Sequence, residues 1–145
     1  GRGVACAGGV QPIDDCYNAY PGSIEAAIAT LNRLRGEDRG LLVIDDMRER
    51  GSASAARRRD MGRFAARNGV FRLLACGDFA AAVAAGAREG GMAPADIVTG
   101  SQADLAARLL RELRAGDWVL VKGSRAMGME AIVNLIKQWA EGRRS

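Results

Sequence analysis

The chain alternates short apolar runs with longer segments in which apolar residues recur every three or four positions. Short, mostly apolar runs bounded by polar or glycine residues are typical of buried strands. This pattern predicts five strands, at residues 9–13, 41–44, 71–76, 96–99 and 118–121. We expect the first strand to end at the pair Asp14-Asp15.

The segments with a helical period predict five amphipathic helices. Ser23, Ser54, Asp78 and Ser101 are suited to cap the first four, and Asp104 adds the spacing of a capping box. We expect Asn68-Gly69 to end the second helix. The apolar positions of these helices are Ile24, Ala27, Ile28, Leu31 and Leu34; Met61, Phe64 and Ala65, which we expect to face inward; Leu105, Leu109, Leu110 and Leu113; and Met129, Ile132, Val133, Ile136 and Trp139.

Strands that alternate with helices in this way favour right-handed crossovers and a parallel sheet. We therefore predict that residues 1–145 form one α/β domain. Its mostly parallel sheet would be flanked by helices on both faces, giving three layers.

Composition narrows the possible functions. The chain has 21 Lys+Arg, 17 Asp+Glu and no histidine, which excludes catalytic pairs and zinc sites that need imidazole. Three cysteines without C-x-x-C spacing favour reduced thiols and a cytoplasmic setting. No signal peptide opens the sequence and no apolar stretch is long enough to span a bilayer. The run Arg57-Arg58-Arg59 is expected to be a solvated helix face rather than a nucleic-acid contact.

Polar residues follow each predicted strand, where ligands bind in open parallel sheets. For Asp78 and Ser101, helix capping is the simpler interpretation. At Lys122-Gly123-Ser124-Arg125, two cations precede a helix N-terminus, an arrangement that favours a phosphate or carboxylate. The alternative to an anion site is a simple basic turn. The sequence contains no Walker A motif and no G-x-G-x-x-G motif.

The acidic pairs Asp14-Asp15 and Asp45-Asp46 could hold magnesium, orient a ribose or accept hydrogen bonds from an ammonium group. Neighbouring residues on a strand point to opposite faces, so one member of each pair would reach a shared site. Solvation of the other member is the default interpretation.

Three segments carry a resemblance to a known family: DDCYNAYPGS at 14–23, DDMRERG at 45–51 and GDWVLVKGSRAMGME at 116–130. Together they resemble the C-terminal domain of the Mur ligases, most closely the branch that adds D-alanyl-D-alanine. The similarity runs from about residue 9 to residue 136. By this resemblance the substrate- and nucleotide-binding positions are Asp15, Tyr17, Asn18, Tyr20, Pro21 and Ser23, then Asp46 with Met47, and then Lys122, Gly123, Ser124 and Arg125.

The resemblance implies a three-domain, ATP-dependent ligase of peptidoglycan precursor synthesis. An N-terminal domain would hold UDP-N-acetylmuramoyl-tripeptide, a central P-loop domain would bind most of the ATP and Mg²⁺, and this domain would close over both. The tripeptide would form an acyl phosphate that D-alanyl-D-alanine attacks. The chain would then be a separated domain, monomeric and inactive alone, without catalytic or metal-binding residues of its own and without nucleic-acid or membrane partners.

The chain departs from the family pattern at three positions. Tyr20 stands where the family has asparagine, Asp45 where it has glycine, and Arg58 at the apparent place of a histidine. Two alternatives stay open: a related amide ligase of the folylpolyglutamate or cyanophycin type, and a free-standing module that binds an anion or nucleotide. The absence of histidine argues against the folylpolyglutamate type.

Overall fold

The computed structural model describes residues 2–8, 11–18, 24–46, 54–124, 134–136, 138–139 and 142. The strands are β1 (Arg2–Gly8), β2 (Gln11–Asn18), β3 (Gly40–Asp46), β4 (Arg72–Gly77), β5 (Ile97–Thr99) and β6 (Trp118–Ser124). The helices are α1 (Ile24–Arg35), α2 (Ser54–Arg67), α3 (Ala80–Glu89) and α4 (Gln102–Glu112), with a 3₁₀ turn at Pro94–Asp96. Residues 134–136, 138–139 and 142 are also helical.

The strands form one sheet in the order β2-β1-β6-β3-β4-β5. The strands β6, β3, β4 and β5 are parallel, as the alternation of strands and helices predicts. The strand β1 is antiparallel to both β2 and β6, so β2 runs in the same direction as the parallel strands. The prediction of an α/β domain with a mostly parallel sheet is confirmed.

The N-terminal part of the sheet differs from the prediction. The sequence pattern indicates one strand at 9–13, but the structure has two antiparallel strands, and β2 continues through Asp14-Asp15 to Asn18. The pattern misses β1 because, apart from Val4, its segment has no β-branched or aromatic residue, the types that favour strands. Pairing with β6 along its whole length stabilises it instead.

Alternate residues of the parallel strands build two separate cores. Leu42, Ile44, Leu73, Ala75 and Leu120 pack against α1, α2 and α3, and we call this side the α1–α3 face. The intervening residues, including Leu41, Val43, Leu74, Val119 and Val121, pack against Leu105 and Leu109 of α4 and against Ile136. Helices therefore cover both faces of the sheet. Met129, Ile132 and Val133, predicted for the last helix, lie outside the described residues.

Helices α2 and α3 pack so closely that a Cβ atom would overlap the facing backbone at two of their glycines. A Cβ atom added to Gly62 would lie 2.0 Å from the Val83 carbonyl oxygen, and one added to Gly86 would lie 1.8 Å from the Arg59 carbonyl oxygen. At the surface of this contact, Arg59 and Arg63 both bind Glu89. These hydrogen bonds, that from Arg59 first, lower the pKa of Glu89 to about 2. The two helices therefore form one closely packed pair.

The helix ends match the sequence in part. Ser101 and Asp104 form the predicted capping box. Helix α2 ends before Asn68, and Gly69 takes a positive φ of 81°, as predicted. The prediction for Asp78 is wrong, because the N-cap of α3 is Phe79, which makes no side-chain cap bond. The cap expected at Ser23 lies outside the described residues.

Candidate functional site

The carboxyl ends of four strands meet at one edge of the sheet. In β6, Lys122 pairs with Ile44 of β3, and Gly123 pairs with Asp45. On the other side, Lys122 pairs with Val4 of β1, which pairs in turn with Asn18 of β2. Since β2 and β6 run in the same direction, Asn18 lies at the same edge as Lys122. The register therefore places Asn18, Lys122 and Asp46, one position from each of the three sequence motifs, at the same edge of the sheet.

The geometry of this edge can be gauged from strand spacing. Asp46 lies two residues beyond Ile44, at the end of β3, where it pairs with Gly77. Strands about 4.8 Å apart with a rise of about 3.3 Å per residue put the Cα atoms of Lys122 and Asp46 roughly 8 Å apart. A ligand the size of a phosphate or an amino acid could therefore contact both strands.

The segment after Val121 differs from the predicted loop. Lys122, Gly123 and Ser124 belong to β6, which has strand partners on both sides through Gly123. The backbone amides of Lys122 and Gly123 thus lie within a sheet ladder rather than in a turn. The anion-binding interpretation must rest on the Lys122 side chain at the end of the strand. Arg125 lies outside the described residues.

Lys122 is buried, with 6% of its surface exposed. It is two residues beyond Leu120 and opposite Ile44, both of which pack in the core of the α1–α3 face. Because side chains alternate along a strand, Lys122 lies on that face as well. An ammonium group is costly to bury without an anion nearby. Lys122 is therefore a buried cation near the carboxyl end of β6, on the α1–α3 face of the sheet.

The remaining predicted residues fall into two groups. Asp15, Tyr17 and Asn18 lie on β2, where the register shifts between Val4 and Cys6 of β1. Residues 14–17 lie between the pairs made by Ile13 and Asn18. Tyr20, Pro21, Ser23 and Met47 lie outside the described residues.

Arg58 corrects the prediction of a solvated arginine run. Arg57 and Arg59 are exposed, but Arg58 is only 4% exposed. Its guanidinium carbon lies 5.6 Å from the centre of the Phe79 ring, at the start of α3. Spacing could have indicated this burial, since Arg58 precedes Met61 and Ala65 by three and seven positions, on the inward stripe of α2.

The opposite, amino edge of the sheet holds a network of ion pairs. Arg39 binds both carboxylate oxygens of the buried Asp117, at 2.8 and 2.6 Å. These hydrogen bonds raise the pKa of Arg39. Arg72 binds Glu112 at 2.9 Å and also pairs with Asp96. These charges are neutralised within the protein, which is typical of a structural network.

A groove of about 510 Å³ also opens at the amino edge. It is lined by residues that include Arg35, Arg39, Phe71, Met92 and Asp96. Arg35 binds Asn32 and the Asp38 carbonyl oxygen, while Arg39 and Asp96 belong to the ion-pair network. The two arginines and Asp96 of the groove are thus already engaged within the protein.

Among the described residues, no group of three or more His, Cys, Asp or Glu side chains is placed to hold a metal ion. In the same part of the chain, no helix has the length and hydropathy needed to cross a bilayer. Cys76 is buried.

The fold is that of an α/β domain whose mostly parallel sheet is covered by helices on both faces. Residues 3–125 match the family described as "Mur ligase, glutamate ligase domain". The chain belongs to this family.

Curated relatives carry the name UDP-N-acetylmuramoyl-tripeptide–D-alanyl-D-alanine ligase. The protein of Mycobacterium tuberculosis (strain H37Rv) is 36% identical over 146 residues, which cover 88% of this chain and 29% of the relative. Those of Bacillus subtilis and Escherichia coli are 30% and 32% identical, covering 86% and 87% of this chain but 27% and 26% of the relatives. The chain thus spans under a third of the length of these relatives.

Proposed function

We propose that this chain is the C-terminal domain of an ATP-dependent amide ligase that joins D-alanyl-D-alanine to UDP-N-acetylmuramoyl-tripeptide. The observation that carries this proposal is the strand register, which brings Asn18, Lys122 and Asp46 to one edge of the sheet. The names of the relatives supply the reaction and the substrates.

In the proposed reaction, the γ-phosphoryl group of ATP is transferred to the terminal carboxylate of the tripeptide. ADP leaves and an acyl phosphate forms. The amine of D-alanyl-D-alanine then attacks the carbonyl carbon, loses a proton and displaces inorganic phosphate, leaving an amide bond. We assign the binding of the UDP-sugar, the P-loop and most of the Mg²⁺ coordination to regions outside this chain.

The role of this domain is to position a charged reactant. Lys122 can bind the carboxylate of the dipeptide or a phosphate of the nucleotide, because its ammonium group is held in a poorly solvated place. Asp15 and Asp46 are the candidates to receive an ammonium group or a ribose hydroxyl. The domain would act as a lid that completes the site when it closes. We expect the full ligase to be a cytoplasmic monomer.

Two assays test this function. The 145-residue chain, incubated with ATP, UDP-linked tripeptide and D-alanyl-D-alanine, should release no phosphate above background. Phosphate release by the isolated chain would contradict the assignment of catalysis to other domains.

The second assay replaces the matching region of the M. tuberculosis relative with this chain. The chimera should release phosphate only when D-alanyl-D-alanine is present, and Lys122→Met should lower its kcat/KM at least tenfold. Arg111→Met, which removes an exposed cation from α4, is the matched control and should leave the rate within twofold. Stimulation by glutamate instead of the dipeptide would favour the other amide ligases of the family.

A further inference from the structure

The groove at the amino edge of the sheet lies apart from the site proposed above. It is bordered by the three loops that follow α1, α2 and α3, and none of its lining residues belongs to the three sequence motifs. Its volume of about 510 Å³ lies within the roughly 300–1,000 Å³ of clefts that bind ligands. The ion-pair network beside the groove accounts for part of its lining, but not for an exposed aromatic ring and two carboxylates.

Hydrogen bonds between the ends of α1 and α2 hold the wall of the groove in place. Arg35 donates to the Asn32 side chain at 2.7 Å and to the Asp38 carbonyl oxygen at 2.9 Å. Asn32 donates in turn to the Asn68 carbonyl oxygen, at 2.8 Å, in the loop after α2. Because these bonds join two of the bordering loops, the groove is already formed and need not be ordered when a partner binds.

Phe71 presents a large apolar surface at the groove, since it is 40% exposed. The guanidinium carbons of Arg39 and Arg72 lie 4.6 and 5.1 Å from the centre of its ring. Both arginines are themselves fixed, Arg39 by Asp117 and Arg72 by Glu112. An exposed aromatic ring that is immobilised in this way loses little freedom when it is covered, which is typical of the anchor residues of protein interfaces.

Glu37 and Asp38 give the groove a negative charge. Both are exposed and line the groove, and their carboxylates make no hydrogen bond or ion pair with any other described residue. Arg39 and Asp96 are neutralised in the ion-pair network, so that Arg35 alone opposes the two carboxylates. The lining therefore has an excess of one negative charge, although the whole chain has a formal net charge of +4.

We propose that this groove is a docking site for a partner protein, and that it binds an extended segment in which a lysine or arginine is next to an apolar residue. The apolar side chain covers Phe71, and the cation pairs with Glu37 and Asp38. A small cation would pair with the carboxylates but would leave the Phe71 ring uncovered, which favours a peptide segment. This inference is independent of the proposed function, because the groove lies at the opposite edge of the sheet from Lys122.

The first experiment selects random linear peptides for binding to the immobilised 145-residue chain. The selected peptides should be enriched in a lysine or arginine next to a leucine, a phenylalanine or another apolar residue. Their binding should weaken as the salt concentration rises, because exposed charges are screened. The inference is overturned if no peptide is selected, or if the selected peptides have no excess of positive charge.

Variants of the chain then locate the bound peptide. Phe71→Ala should weaken the binding of the most enriched peptide at least tenfold, as expected for an interface anchor. Glu37→Gln combined with Asp38→Asn should weaken it about threefold or more. The controls are Leu110→Ala, at the exposed apolar residue of α4, and Glu25→Gln, at an exposed carboxylate in the first turn of α1. Both controls should change the affinity less than twofold.

The double variant at Glu37 and Asp38 keeps the test decisive if Phe71→Ala does not fold, because neither carboxylate holds another described residue. Unchanged affinity in the double variant, or an equal loss in the controls, would refute the docking site. Sedimentation of the unmodified chain distinguishes a partner protein from a second copy, and the chain should stay monomeric. Self-association that the double variant abolishes would assign the groove to a second copy and overturn the proposal.

Discussion

Replacing Gly86 with alanine should destabilise this protein, although the same change in an exposed helix normally stabilises it. The added Cβ would lie 1.8 Å from the Arg59 carbonyl oxygen and 2.7 Å from its carbonyl carbon. Both are backbone atoms of α2, so rotation of a side chain cannot relieve the overlap. The overlap can be relieved only if α2 and α3 move apart.

The expected change in the free energy of unfolding is the balance of two opposing effects. Alanine in a helix interior gains about 1 kcal/mol over glycine. Overpacking costs about 1–3 kcal/mol and occasionally more, and an overlap with backbone belongs at the upper end of that range. The expected net loss is about 2 kcal/mol in the free energy of unfolding. For a chain of this size, each kcal/mol lowers Tm by about 2–4 °C, so Tm should fall by about 6 °C.

Thermal and urea unfolding, followed by far-ultraviolet circular dichroism, would measure the loss. The control is Gly142→Ala, because a Cβ at Gly142 meets nothing within 4 Å. This control should leave Tm unchanged or slightly higher. A Gly86→Ala protein as stable as the unmodified chain would refute the close α2–α3 contact.

Three further predictions concern single interactions. Asp117→Asn should lower stability by about 3 kcal/mol in urea unfolding, since it leaves the partly buried Arg39 without its ion-pair partner; a loss below 1 kcal/mol would contradict this. Ser101→Ala should cost about 1 kcal/mol by removing the bond to the Asp104 amide; an unchanged Tm would argue against that cap. The lowered pKa of Glu89 contributes stability above the unfolded pKa. The Tm difference between the unmodified chain and Glu89→Gln should therefore shrink as the pH falls from about 5 towards 2, and a constant difference would oppose the assignment.

Local patterns in the sequence predict the parallel part of the fold. The run at 41–44 lies within β3, and the Ser101 capping box starts α4 as expected. These features depend on residues close together in the chain, namely a continuous apolar run and a cap three residues from its partner. Local patterns do not predict β1, because this strand is stabilised by pairing with β6, which lies more than a hundred residues away in the sequence.

The sequence predicts the sheet edge at which the candidate site lies, but it does not predict the length of β6 or the burial of Arg58. Polar residues after successive strands indicate the edge, and the register confirms that Asn18, Lys122 and Asp46 share it. A lysine after an apolar run suggests the end of a strand, yet β6 continues to Ser124 because β1 and β3 pair with it on both sides. Arg58 was missed because arginine usually faces solvent, whereas here α3 covers it.

The central claim is that ligands bind at the carboxyl edge of the sheet, and amide chemical-shift mapping tests it most directly. ATP or D-alanyl-D-alanine, added to the isotope-labelled 145-residue chain, should shift the amide resonances of Asn18, Asp46 and Gly123. Those of Gly40 and Trp118, at the amino edge of the same strands, should stay unchanged. Shifts confined to the amino edge, or none at millimolar ligand, would contradict the account.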